Sequence, residues 1–180
     1  MTIIDHIPSA GVLVADPPWP FRDSLPGRGR GAAKHYPLLS VEDICSFPLP
    51  PLAPSCVLFL WRVSSQVKEA YEVIDAWGFE PKTELAWIKK TSKGKLAMGM
   101  GRTLRAAHET CIVATRGKPQ PLVHNILSVF EAQRGRHSEK PDAFYCIVEQ
   151  LFAGPYTELF ARRPRAGWTC LGNDPALRSS

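Results

Sequence analysis

The chain contains no apolar run long enough to cross a bilayer. Its longest, residues 56–61, is far below the roughly 20 residues that a span needs. It has no Cys-x-x-Cys pair. The 5 cysteines, at positions 45, 56, 111, 146 and 170, are scattered and odd in number, which fits reduced thiols and disfavours a disulfide framework or a zinc site. No repeat or low-complexity linker breaks the 180 residues, so a single domain over 1–180 is expected. The opening MTIIDHIPSAG has no basic residue leading into an apolar run, so no secretory signal is expected there. Together these absences predict a cytoplasmic protein with no membrane partner. A dinucleotide fingerprint is missing as well, since Gly99-Met100-Gly101 lacks a third glycine and a strand-to-helix setting.

What remains is an ordinary globular composition, 44% hydrophobic and 22% charged, with a net charge of +5. The charge is unevenly placed. Arg22, Arg28, Arg30 and Lys34 form one cluster, and Lys82, Lys89, Lys90, Lys93, Lys95, Arg102 and Arg105 a second. Arg134, Arg136 and Lys140 follow, then Arg162, Arg163 and Arg165. Any one cluster is as well explained by a solvated surface. Several in long connecting segments (20–39, 90–107, 131–139) suit loops that converge on a polyanion.

Short β-type runs alternate with a few helical patterns. GVLVAD (11–16), CVLFLW (56–61), TELAWIK (83–89), ETCIVAT (109–115), ILSVF (126–130), YTELFA (156–161) and GWTCL (167–171) read as strands. VLVA and VLFLW are continuously apolar, as in strands covered on both faces. Helices are predicted from Ser40 to about Phe47, after Ser64 or Ser65 as far as Gly78, and after Ser138 with Pro141 in the first turn. The alternation predicts an α/β sheet flanked by helices.

The chemistry concentrates in ADPPW. Asp16 follows an apolar strand, at the end where open α/β sheets bind ligands. Pro17 and Pro18 cannot continue sheet or helix, which frees the carbonyls of Asp16 and Pro17 for other partners. A carboxylate, a carbonyl and the flat face of Trp19 suit a planar group bearing an NH2, such as a nucleobase amine. A strand terminator followed by a turn would read the same way from composition.

The ordered set ADPPW (15–19), HYPLLSVEDI (35–44), CVLFLWRV (56–63), WGFEPKTELAWIKK (77–90), HETCIVATRGKPQ (108–120), HSEKPDAFYCIVEQL (137–151), GPYTELFARR (154–163) and GWTCLGN (167–173) covers nearly the whole chain. In that set the sequence resembles the N(6)-adenosine methyltransferase family of MT-A type, in its compact bacterial and phage style. The resemblance implies a Rossmann-like, S-adenosylmethionine-dependent methyltransferase fold. Its sheet would be mixed and mostly parallel, with helices on its flanks and a permuted motif order.

The resemblance also implies roles. Asp16 and the Pro17 carbonyl would bind the adenine amine, with Pro18 and Trp19 shaping the pocket. Tyr36 would close over the base, with His35 beside it, and Trp61 would line the base pocket unless it is a core aromatic. Lys140 would meet the methionine carboxylate of the cofactor, and Asn173 its ribose, with Asp174 where eukaryotic members carry glutamine. Arg162 and Glu158 belong to the cofactor side, and Asp5 is a loose match to an adenine-binding acid. The histidine–asparagine pair of eukaryotic members is replaced by Arg163-Pro164-Arg165. His108, His124 and His137 read as structural or solvated, and no metal is implied. The expected partner is nucleic acid, DNA favoured and RNA the alternative, with a homodimer or partner subunit left open. The competing reading is a non-catalytic nucleic-acid-binding subunit of such an enzyme; a nucleotide-binding oxidoreductase is the more distant one.

Overall fold

β1 (Ala10–Ala15) and β2 (Leu52–Arg62) lie side by side at the middle of a seven-stranded sheet. They are parallel, with Leu13 opposite Leu58 and Ala15 opposite Leu60. The computed structural model describes residues 7–20, 38–99, 101, 103–135 and 139–172. Around the central pair run β3 (Glu80–Lys90), β4 (His108–Arg116), β5 (Val129–Gln133), β6 (Tyr156–Leu159) and β7 (Trp168–Leu171), in the spatial order β5-β3-β4-β2-β1-β6-β7. β4 is antiparallel to both of its neighbours, and every other pairing is parallel. The sheet is therefore mixed and mostly parallel, as expected. Reversal of β4 brings its first residues to the edge where the other strands end.

Alternation of side chains splits the core into two layers. Leu13, Ala15, Leu58, Leu60, Ile112 and Leu159 pack beneath α1 (Val41–Cys45) and α2 (Val67–Ala76). Val12, Val14, Val57, Phe59, Trp61 and Trp87 pack beneath α3 (Asp142–Leu151), which contributes Phe144, Tyr145 and Val148. Both faces being covered explains why β1 and β2 read as unbroken apolar runs. None of the described helices is long and apolar enough to cross a membrane.

α1 has the expected capping box: the Asp43 amide donates to Ser40 Oγ at 3.0 Å, and the Ser40 amide to Asp43 Oδ2 at 3.3 Å. α2 differs from its prediction. Its N-cap is Gln66, not a serine, and no side chain caps it, because the Gln66 side chain reaches across to Pro20. Gly78, at φ 74, ends the helix in the left-handed conformation that glycine tolerates best. In α3, Pro141 is the N-cap and not a residue of the first turn.

Four strands depart from their predicted bounds by more than one residue, β6 among them, which ends at Leu159 and not at Ala161 because Phe160 turns left-handed. β2 begins at Leu52, inside the proline-rich SFPLPPLAP (46–54), which reads from sequence as a stiff connector. The register slips between Ala10↔Leu52 and Val12↔Val57, and Pro54 falls in that irregular stretch, where no ladder amide is required of it. β3 likewise starts early, and its register shifts between Pro81 and Thr83. β5 runs three residues later than ILSVF suggests. It is an edge strand whose register comes from backbone pairing with β3, Ala86 opposite Val129, and Leu127 is left 72% exposed.

Candidate active site

Strand parity builds the site. Asp16 continues the series Val12, Val14 and so faces α3. On β6 Glu158 lies opposite Val14, on β4 Glu109 lies opposite Trp87, and Trp61 ends the α3-facing series of β2. Lys140, just before α3, drops its side chain onto this edge with only 7% of it exposed.

The resulting charges alternate. Lys140 Nζ lies 2.7 Å from Asp16 Oδ2 and 3.3 Å from Glu109 Oε2, while Lys89 Nζ lies 2.5 Å from Glu109 Oε1. Arg162 Nη2 is 3.2 Å from the same Asp16 oxygen, Oδ2. Lys140 Nζ also stands 5.0 Å from the centre of the Trp61 ring, within cation–π range. Burial disfavours the Lys140 ammonium, but Asp16 and then Glu109 outweigh it and hold its pKa above the ordinary lysine range. For Glu109 burial acts upward, yet Lys140 and Lys89 keep its carboxyl below the usual range.

The proline segment is held rigidly. Pro17 O accepts the Trp19 amide at 2.8 Å, Pro18 O accepts the Leu39 amide at 3.0 Å, and Pro20 O accepts Gln66 Nε2 at 2.6 Å. Pro17 O is thus already engaged in a tight turn, although a carbonyl has a second lone pair to offer. Trp19 is 3% exposed and packs with the α1/α2 layer, and its indole Nε1 donates to Trp61 O at 2.9 Å. It braces the turn from behind and presents no open stacking face. Trp61, 1% exposed, is a core aromatic packed against Trp87 and Phe144, and its ring serves as the floor beneath Lys140.

Arg162 reaches Asp16 through a strained turn. Phe160, directly after β6, has φ 60, a left-handed conformation rare outside glycine, and its buried ring is packed against Phe47 at 4.6 Å. Glu158 accepts the Tyr145 hydroxyl at 2.8 Å. Burial pushes the Glu158 carboxyl up, the Tyr145 hydrogen bond opposes this, and Asp16 adds to it. Burial, followed by Glu158, also raises the Tyr145 phenol. Arg165 stacks 3.5 Å from the centre of the Tyr145 ring and pairs with Asp142 at 2.7 Å.

Of the residues predicted from sequence, the structure brings together Asp16, Pro17, Pro18, Trp19, Trp61, Lys140, Glu158 and Arg162 at one sheet edge. Asp5, His35, Tyr36, Asn173 and Asp174 lie outside the described residues. Sequence reasoning missed Glu109, Lys89 and Tyr145. A signal was present in HETC: an acid two residues before Cys111 shares its face, at the start of an apolar strand. Finding it required knowing that β4 runs backwards. Among the described residues no group of His, Cys, Asp and Glu is placed to hold a metal ion. All five cysteines are free, and burial pushes the Cys56 thiol up to about 12.

The basic clusters fare unevenly. Lys82, Lys89 and Lys90 are each paired with a glutamate, and Arg163 and Arg165 meet Asp142. Lys93, Lys95 and Arg105, between β3 and β4, make no ion pair with a described residue.

Comparison with known proteins places this edge in context. The MT-A70 family model matches residues 10–174. The chain is 31% identical over 169 residues to the human N(6)-adenosine-methyltransferase catalytic subunit METTL3, an alignment covering 90% of this chain and 27% of that protein. It is 29% identical over 176 residues to the Arabidopsis thaliana N(6)-adenosine-methyltransferase MT-A70-like protein, covering 94% of this chain and 24% of the relative. It is also 29% identical over 178 residues to the type II methyltransferase M.MunI of Mycoplasma sp, covering 87% of this chain and 74% of that protein. The chain thus spans about a quarter of these plant and animal relatives.

Proposed function

Because the chain belongs to the MT-A70 family, we propose that its charged sheet edge transfers a methyl group from S-adenosylmethionine to the N(6) amine of adenine in a nucleic acid, DNA in preference to RNA. The observation that carries this reading is the Asp16 carboxylate. It lies at the carboxyl end of a central strand, is 16% exposed, and is fixed by two cations that both meet Oδ2. That arrangement directs Oδ1 to an incoming amine.

The cofactor suits the residues present. Lys89, Lys140 and Arg162 face the carboxylates Asp16, Glu109 and Glu158 at this edge. Lys140 and Arg162 would receive the methionine carboxylate, as the family pattern implies. Glu158 borders the same pocket. Asn173 and Asp174 are proposed for the ribose, Asp5 for the cofactor's adenine, and Tyr36 and His35 for the target base, on the strength of the family pattern. When bound, S-adenosylmethionine supplies an electrophilic methyl on a sulfonium, which departs as a neutral thioether as the N–C bond forms.

The protein's part is alignment and hydrogen bonding. Asp16 Oδ1 accepts one amine N–H and the second lone pair of Pro17 O accepts the other. Both contacts favour pyramidal nitrogen and strengthen as charge develops on it. The proton displaced from nitrogen departs by way of the Asp16 carboxylate to water. The pinned turn from Asp16 to Pro20 keeps both acceptors in place, so that little ordering is left for the reaction step. Where the adenine lies in a duplex, it must first be flipped out of the stack. The resemblance to bacterial and phage members of the family, with the likeness to a type II methyltransferase of Mycoplasma sp, supports DNA as the substrate.

Incubation of the protein with S-adenosylmethionine and adenine-containing DNA or RNA, followed by mass spectrometry of the nucleosides, tests the reading directly. N(6)-methyladenine is expected, in greater yield from DNA. No methylated base from either polymer, in a protein that folds, would overturn it.

A further inference from the structure

Glu109 has no part in the alignment of amine and cofactor described above, yet it lies at the centre of the charged row. It is there because β4 is the reversed strand: the residues that open β4 meet the edge where β1, β2 and β3 close. Register sets Glu109 opposite Trp87 and two residues from buried Cys111, so its side chain is on the α3 face with Asp16. Its two oxygens are divided between two lysines, Oε1 to Lys89 at 2.5 Å and Oε2 to Lys140 at 3.3 Å.

We propose that Glu109 is a positioning residue: through Lys140 it fixes the Asp16 carboxylate in the orientation that the incoming amine meets. The inference rests on the reading of Asp16 as the acceptor for that amine. An ammonium held by one carboxylate swings with it. One held between two, above an immobile indole ring, has a set position, and it sets the position of the carboxylate it binds. Lys89 anchors Glu109 from its other side and is itself tied through its backbone amide to Ala107 O at 2.9 Å.

The groups that face Lys140 are Asp16 just beyond β1, Glu109 and the Cys111 thiol on β4, Glu158 on β6, Arg162 beyond β6 and the Trp61 ring on β2. Glu109 is one of the two acids that offset the burial of the Lys140 ammonium. Replacing it by glutamine removes a negative charge and leaves the shape. Lys140 then gives up its proton at lower pH, and the alkaline limb of the activity profile moves down with it.

The test measures two things on the full chain. The first is the titration of Lys140 Nζ by lysine side-chain nitrogen NMR, with Lys140→Met to assign the signal. The second is the pH profile of kcat/KM for methyl transfer. Glu109→Gln is expected to lower the Lys140 titration point, shift the alkaline limb to lower pH and reduce kcat about tenfold, as a small misplacement of an aligned group does. Glu109→Asp should restore part of each. An unmoved Lys140 titration in Glu109→Gln would overturn the inference, and so would a moved titration with unchanged kcat and limb. If the wild-type protein transfers no methyl group, the reading of the site fails; the NMR titration still decides whether Glu109 holds Lys140.

Discussion

The two faces of the sheet are built from the same strands and end differently. Under α1 and α2 the alternate positions of β1 and β2 are apolar as far as Leu60, with Leu13, Ala15, Leu58 and Leu60 all 0% exposed, and Arg62, paired with Glu84, follows at the rim. Among the described residues, Gln66 Oε1, Thr157 Oγ1 and Arg62 Nε are buried there without a hydrogen-bond partner, and so is Trp61 Nε1 on the α3 face. Under α3 the same strands carry apolar residues only part of the way and finish in Asp16, Glu109, Glu158 and Lys89, each of which has a partner. One face holds the fold together with apolar packing. The other satisfies every charge it places at the edge, as a low-dielectric site must if its groups are to stay ionised.

Substitutions on the two faces should separate accordingly. The largest effect is expected from Asp16→Asn, which keeps the shape and removes the charge. Methyl transfer should fall about 10²–10³-fold, the usual loss when one group aimed at developing charge is removed. The midpoint of thermal unfolding should fall as well, because the buried Lys140 ammonium loses one of its two carboxylates, but activity should fall far more than the loss of folded protein explains. Steady-state kinetics and a melting curve on one preparation check both halves, and a large drop in stability would blur the contrast between faces.

Leu58→Ala is the mirror experiment on the α1/α2 face. Deleting a fully buried leucine should cost about 2–5 kcal/mol in a urea titration. Activity per folded molecule should stay near the wild-type value. A selective loss of activity instead would mean that the two faces are coupled.

Trp19→Phe should act on both faces by a smaller amount, because Trp19 packs with one layer and hydrogen-bonds the strand that floors the other. It leaves Trp61 O without its donor, worth about 1–3 kcal/mol for a buried acceptor. Some activity should be lost with the stability, as the Asp16–Pro20 turn loosens. Crystallography of the variant would show whether the Asp16 carboxylate has moved.

Much of this site was legible in the sequence, and the reasons differ from residue to residue. Asp16, Pro17 and Pro18 could be read because an acid and two prolines after an apolar strand are a local event. Lys140 and Arg162 came only from the ordered family pattern, since a lysine before a helix-starting proline is usually solvated. Trp19 was expected to offer a face to the base and was found braced in the core; an indole quoted in a motif does not reveal which side of the sheet it will turn to. Gln66 was passed over as a cap in favour of Ser64 or Ser65, because its bond to Pro20 spans 46 residues. β5 was placed early for a related reason, its register being set by another strand and not by its own apolar pattern.

The sequence by itself determined the strands covered on both faces, the capping box of α1, the placement of an acid at a strand end, and the family. These depend on neighbouring residues or on the order of motifs, both of which a chain carries along its length. Only the tertiary structure decided that β4 runs backwards, that Glu109 and Lys89 join Lys140 and Asp16 in one row, and that Phe160 turns Arg162 toward that row. Parity tells which residues share a face of one strand, but charges from different strands meet only when register and direction are fixed. Those are set by hydrogen bonds between segments far apart in the chain.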